Sequence, residues 1–429
     1  MIEALRRRTE LGLVLLAGVI TASAYVLASL GRTASIPADI WPFLGIVLGL
    51  MAAAHLATRR LARGADGLLL PLAGLLNGLG YVFIARLDQD LAGLQAVWTA
   101  VGIGAYVATL LLVRRTRDLE RYRYTFMLVG VALLLMPLLP GIGRNINGAR
   151  IWVSLGPLNF QPGEFAKIVL AVFFASYLVE KREVLGLAAI RIGPVALPDL
   201  RTLGPVLLAW GASLLVMSAE RDLGSSLLFF ALFVVMLWVA TGRTTYLAVG
   251  GVLFAAGSYT AWRLFDHVQT RVSTWIDPWS DFSGRGFQIA QATFALAWGG
   301  VAGTGIGLGN PDRIPVAETD FIFAAIGEEL GLLGSVAIVA AYLLMIGAGL
   351  RVALRAEAPF DKLLAAGLTT ILGLQAFIII GGVIRLVPLT GITLPFVSYG
   401  GSSLVANYVL LALLMRVSDA STPAPAKAA

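Results

Sequence analysis

The chain has 429 residues, 58% of them hydrophobic and 13% charged, with no Cys and two His, and its mean hydropathy is +0.84. A soluble domain carries about 25% charged residues, so a soluble globular chain is excluded, as are disulfides, thiolate metal sites and a Cys nucleophile. The formal charge of +7 comes without an aromatic-interleaved basic stripe, so nucleic acid is not a partner, and His55 and His267 are too far apart in sequence to suggest a His zinc site or a Ser-His-Asp triad.

The apolar residues fall in blocks of roughly 20, the length that crosses a bilayer as helix. In order they are 11–30, 40–58, 67–85, 94–113, 123–140, 164–180, 203–219, 223–241, 245–264, 321–349, 363–386 and 399–417. Arg6, Arg7 and Arg8 precede the first, with no cleavage site behind it, so a removed signal peptide is not expected. The N-terminus, the alternate loops and the tail after Arg416 hold 21 of the 32 Lys and Arg. The positive-inside rule places both termini in the cytoplasm. The expectation is an all-α polytopic membrane protein of about 12 transmembrane helices. The low-complexity tail 418–429 is expected to be disordered.

Three loops on the far side are long and unusual: 141–163, 265–320 and 387–398. The first, with the start of the span behind it, carries Arg144, Arg150 and Lys167, positive charge where topology does not call for it. Arg150 and Lys167 suit an anionic headgroup; Glu164 and Lys167, three apart, equally suit a pair on one helix face. Trp152 fits an interfacial belt. Glu220-Arg221-Asp222 reads best as a hairpin cap.

In the second loop, residues 286–298 form an amphipathic stretch too short to cross, so an interfacial or re-entrant helix is expected. GTGIGLG follows no strand, so close backbone packing is a better reading than a nucleotide loop. Thr319 and Asp320 then precede an apolar run containing Glu328 and Glu329. Thr319 and Asp320 fit N-cap or first-turn positions. Asp320 has two readings, a helix cap or a functional carboxylate. Carboxylates within the apolar run need partners. The third loop ends in Gly400-Gly401-Ser402-Ser403, irregular backbone that membrane depth tolerates only against protein or a wet cavity.

Together these motifs resemble the SEDS family, which includes RodA, FtsW and SpoVE. The carrying stretches are NGARIW (147–152), QPGEFAK (161–167), DLGSSLL (222–228), GFQIAQA (286–292), PVAETDFIFAAIGEELG (315–331) and TGITLPFVSYGGSS (390–403). The resemblance covers about residues 94–417 and, within the family, leans toward its RodA branch. It implies a ten-helix core preceded by an extra, peripheral N-terminal pair. Residues 1–85 would hold the N-terminal helices, and 86–417 the catalytic core with its outer loop 265–320.

The implied activity is a peptidoglycan glycosyltransferase that polymerises lipid II at the outer face of the bacterial cytoplasmic membrane. A class B penicillin-binding protein is the implied partner, beside membrane lipids. The family's essential carboxylate matches Asp320. The candidate substrate-binding residues are Arg150, Trp152, Glu164, Lys167, Arg271, Gln288, Thr319, Ser398 and Ser402. The chain departs from the family at Gly163, at the ERDLGSS variant and at Ile379.

A carboxylate in reach of a sugar hydroxyl acts as general base. A diphosphate leaves as an anion, so no second acid is needed. Arg150, Lys167, Arg271, Arg385 or a divalent cation such as Mg or Mn would stabilise it. A helix N-terminus would hold the Asp320 carboxyl ionised, and the apolar walls Phe321 and Phe323 would oppose that. A lipid II flippase is the competing class, suited by intramembrane Glu328 and Glu329; the clustering of unusual residues on one face favours the enzyme. A non-catalytic scaffold is the third.

Overall fold

Nine helices among the described residues are long and apolar enough to cross a bilayer. The computed structural model describes every residue except 1, 37–39, 147–148, 156–157, 187, 193–194, 199–207, 209–210, 213–214, 216–219, 221 and 423–429. The expected span 203–219, Arg221 and the first two residues of NGARIW therefore lie largely or wholly outside the described residues.

The chain opens with α1 (Ile2–Thr33), α2 (Ile40–Leu61), α3 (Leu69–Leu87) and α4 (Gln89–Leu112). Short α5 (Thr116–Arg121) and α6 (Arg123–Leu135) lead to strands β1 (Gly143–Ile146), β2 (Ala149–Leu155) and β3 (Leu158–Phe160). Then come α7 (Pro162–Gly186), β4 (Ala188–Ile192), β5 (Val195–Pro198), α8 (Leu223–Thr241), α9 (Thr245–Leu264), α10 (Asp266–Ile276) and α11 (Phe287–Gly299). The last three are α12 (Ile322–Arg355), α13 (Pro359–Val383) and α14 (Gly401–Ala420). Helices α1–α4, α7, α8 and α12–α14 are the nine.

Among the described residues, five short strands accompany the helices of this mostly helical chain. β1–β2–β3 form an antiparallel meander and β4–β5 a hairpin. The signal was local: ARIWVSL alternates apolar and polar residues and contains β-branched and aromatic side chains, the period of a strand.

The core runs along α13 and α14. On α14, Leu404, Ala406, Tyr408, Leu411, Leu414 and Val417 are all buried, and α14 packs chiefly on α4. Several polar groups sunk there are paired with one another, which offsets their loss of water. Asn77 Nδ2 donates to Tyr408 Oη at 3.0 Å, and Thr58 and Tyr106 hydroxyls share a 2.6 Å bond. At the bundle end far from Asp320, Arg416 donates to the carbonyls of Leu61 and Val113, both at 2.7 Å. These two bonds satisfy carbonyls that end helices. The tail also corrects its expectation at its start: Thr422 Oγ1 donates to Gly64 O at 2.7 Å, so 418–422 is ordered.

α12 is broken. Gly331 sits at φ 67° and ψ −165° inside it, a left-handed conformation that costs Gly no Cβ clash. The segment joining α11 to α12 fills the break. Leu332 N donates to Gly300 O at 2.9 Å and Leu333 N to Val301 O at 3.2 Å, capping the second half-helix. α11 has 13 residues, about 20 Å, too short to cross, as its sequence requires.

Candidate active site

The GTGIGLG segment is the cradle of the two intramembrane acids. Thr304 N and Gly305 N donate to the carbonyls of Glu328 and Glu329, both at 3.0 Å. Gly307 N donates to Glu329 Oε2 at 2.9 Å, and Asn310 N to Glu328 Oε1 at 2.7 Å. Arg86 on α3 completes the cluster: its Nε donates to Glu329 Oε1 at 3.2 Å and its Nη2 to Gly309 O at 2.9 Å. Glu329, 1% exposed, is thus a buried, fully paired charge. The cost of an acid at membrane depth is met by backbone and one guanidinium, which makes it scaffolding for the first half of α12.

Asp320 stands just ahead of that half-helix. Its N-cap is Phe321, with no side-chain cap bond. The capping reading of Thr319 and Asp320 is corrected: the turn at 316–321 closes through its own backbone, with Thr319 N donating to Val316 O at 3.3 Å. The Asp320 carboxylate is left to face Arg271 of α10. Between them lies Gly391, at φ +77°, where a Cβ would sit 3.7 Å from both Asp320 Oδ2 and Arg271 Nη2. A side chain there would fill the gap, and the backbone conformation resists one as well.

The electrostatics follow from this placement. Burial pushes the Asp320 carboxyl up to about 6, against the pull of Arg271, with Asp222 and Glu318 adding to the rise. Burial raises Asp222 too, partly offset by its bonds from Ser225 and by Arg271. Burial lowers Arg271, and the two aspartates oppose that. Asp222 is also the N-cap of α8, accepting from Ser225 N at 3.1 Å. The cap reading of that turn is right and incomplete, because the cap also borders Arg271 and Asp320.

The other candidate residues sort into two groups. Thr319, Gln288, Ser398 and Ser402 build the loops around Asp320. Gln288 Nε2 donates to Pro315 O at 3.2 Å, and Ser398 Oγ donates to Thr319 O at 2.5 Å. Ser402 Oγ accepts from Gln161 N at 3.0 Å, and Tyr399 N donates to Glu318 O at 2.8 Å. Glu164 and Lys167 are buried and bonded to each other at 2.6 Å, the pairing their spacing allowed. Arg150 is exposed on β2 and Trp152 half-buried, opposite Arg144. Arg385 is a latch: its Nη2 donates to Trp275 O and Ile276 O, each at 3.0 Å, and Trp275 Nε1 donates back to Arg385 O at 2.9 Å.

From Arg271 an apolar groove of about 500 Å³ extends between α8, α9, α10 and α13, walled by Leu227, Phe230, Phe254, Phe377 and Pro388. No span-level pattern in the sequence distinguished these residues from ordinary lipid-facing ones. The donors near Asp320 do not fit a resident divalent cation. Among the described residues no three His, Asp or Glu side chains gather to hold one, and the positive charge beside Asp320 is a guanidinium.

Over residues 79–422 the sequence matches the FtsW/RodA/SpoVE family of cell cycle proteins. The chain belongs to that family. It is 46% identical over 424 residues to the peptidoglycan glycosyltransferase RodA of Mycobacterium tuberculosis strain H37Rv, covering 96% of this chain and 90% of that protein. Its fold is similar to a chain from a peptidoglycan synthase complex described as coordinating polymerization and crosslinking, with TM-score 0.69 and 28% identity over 83% of this chain and 98% of that one. It is also similar to the rod shape determining protein RodA of Thermus thermophilus, at TM-score 0.58 and 28% identity, over 82% and 96%. As a member of the family, it is a multi-pass membrane protein. The first helix of the expected N-terminal pair touches the glycine segment directly, since a Cβ on Gly31 would lie 2.5 Å from Ile306 O.

Proposed function

We propose that this family member is a peptidoglycan glycosyltransferase that polymerises lipid II, with Asp320 as general base. The observation that carries the reading is the facing pair of Asp320 and Arg271 across Gly391, at the head of a long apolar groove. A carboxyl near 6 is mostly ionised at neutral pH yet basic enough to take a proton from a sugar hydroxyl. The hydroxyl oxygen attacks the anomeric carbon, its proton goes to Asp320, and the C–O bond to the lipid diphosphate breaks. Arg271 stabilises the charge leaving with the diphosphate. Direct displacement inverts the anomeric centre. The groove beyond Arg271 suits the leaving group's isoprenoid tail. A divalent cation from the medium is a further candidate for the diphosphate.

The excess of Lys and Arg in alternate loops supports a topology with both termini cytoplasmic and Asp320 outside. The same reading assigns 1–85 to the N-terminal helices, 86–417 to the catalytic core, and a class B penicillin-binding protein as partner. Two experiments test it. The purified chain should convert lipid II into glycan strands without another enzyme; no product under conditions where a family member is active refutes the activity. Single Cys residues at 118 and 281, in this Cys-free chain, should react with an impermeant thiol reagent only at 281. Labelling of 118 alone inverts the topology.

A further inference from the structure

A second pocket, of about 210 Å³, lies beside the Asp320 loop, bordered by Arg313 of that loop, Asn310, Glu328, and Gln291, Phe294 and Trp298 of α11. Gln288, one turn before Gln291, is the residue bonded to Pro315 O, so α11 connects the pocket to the loop that carries Asp320. Glu328 is 6% exposed. Its Oε1 accepts from Asn310 N at 2.7 Å, and Glu328, Gln291 and Arg313 all border the pocket. Among the described residues no side-chain hydrogen bond engages Glu328 Oε2, the Gln291 amide or the Arg313 guanidinium. Phe294 and Trp298 are 40% and 73% exposed.

This set selects a ligand class. A buried carboxylate repels phosphate and other anionic headgroups and accepts from neutral hydroxyls. An amide offers both a donor and an acceptor, and a guanidinium offers a fork of donors. The exposed Trp298, with Phe294 packed on Trp279 and Phe282 beside it, suits a ring with an apolar face and a polar edge. Such a ring, carrying hydroxyls and an acetamido group, is an amino sugar, and the pocket has room for about one ring. We propose that it is a second saccharide subsite, which holds the product glycan strand away from the reacting end. The inference rests on the glycosyltransferase reading for the origin of its ligand.

The test has a binding arm that needs no catalysis. Full-length protein carrying Asp320→Asn is titrated with a lipid-free oligosaccharide of alternating N-acetylglucosamine and N-acetylmuramic acid, read by saturation-transfer NMR. Binding is expected, and the added pair Gln291→Ala and Arg313→Ala should weaken it about tenfold, the scale of one or two lost charge-assisted hydrogen bonds. Trp298→Phe should retain binding and Trp298→Ala lose it. Melting curves verify that each variant is folded. Unchanged affinity in the double variant overturns the subsite. So does a double variant that binds the oligosaccharide normally but loses phosphatidylethanolamine retained from vesicles, which would make the pocket a headgroup site. In the wild-type background at Asp320, the double variant should shorten the strands by more than it slows lipid II consumption. Binding without any polymerisation would refute the glycosyltransferase reading and leave the saccharide site standing.

Discussion

Replacing Asp320 with Asn separates proton transfer from scaffolding. Asn keeps the size and one acceptor oxygen but takes no proton from a sugar hydroxyl, so polymerisation should fall on the order of 10²–10⁴-fold. Stability should move the other way. The carboxyl stands at about 6 in the folded chain against 3.8 ordinarily. At 1.36 kcal/mol per unit, holding the ionised form costs about 3 kcal/mol at neutral pH, an upper figure because the half-buried side chain keeps part of its hydration. The folded state binds the proton more tightly than the unfolded chain, so the penalty is absent below 3.8, develops as pH rises through 6, and is complete above it. Asp320→Asn removes it. The variant should therefore melt above wild type at pH 7.5, and the two should converge near pH 4. Glycan formation from lipid II and scanning fluorimetry across that range measure both effects. A variant that polymerises at near wild-type rate removes Asp320 from the chemistry. One that melts below wild type at pH 7.5 refutes the burial penalty; a cap would show instead as a stability loss in Asp320→Ala that Asp320→Asn escapes, because Asn caps as well as Asp.

Arg271 lowers the Asp320 carboxyl by its charge, so Arg271→Ala should move the acidic limb of the kcat/KM profile to higher pH, with Arg271→Lys partly restoring it; an unmoved limb refutes the coupling. Arg86→Ala leaves Glu329 buried without its ion pair, which should cost on the order of 3–5 kcal/mol and appear as a lower Tm; a Tm unchanged from wild type would mean that the glycine segment alone suffices. Lys167→Ala should destabilise comparably by isolating Glu164, whereas Arg150→Ala, on an exposed strand, should change Tm little; equal losses in the two would contradict the placement of Arg150.

Much of the fold was legible because the bilayer imposes it. Blocks of about 20 apolar residues map onto the spans, and breakers mark the loops that fold back into protein. What the sequence concealed depends on long-range pairing. Glu329 read as a functional acid, because nothing local announces that the amide of Gly307, 22 residues upstream, and the guanidinium of Arg86 will satisfy it. Asp320 kept a capping reading beside the functional one because Thr and Asp before an apolar run have that signature, and only the φ/ψ values show the cap falling one residue later, at Phe321, with the helix starting at Ile322. Arg271 and Asp320 are 49 positions apart in sequence, and only the packing of α10 against 387–391 brings them together. Lys167 suggested a ligand for phosphate, and the i,i+3 rule, the plainer argument, describes the pair it makes with Glu164.

The seat of α1 bears on how small a working version of this protein can be made. The family match begins at residue 79, which invites trimming the chain back to that point. Such a cut would delete α1 and strip the outer side of Ile306 and Gly307, where Ala24, Ala28 and Val82 now form a small apolar cluster. It would also remove Arg32, whose Nη1 donates to the Arg86 carbonyl. Water or lipid would then reach the peptide amides that neutralise Glu329. The shortest autonomous catalyst therefore extends well beyond the segment shared across the family, and any miniature or chimera must carry its own substitute for that first helix.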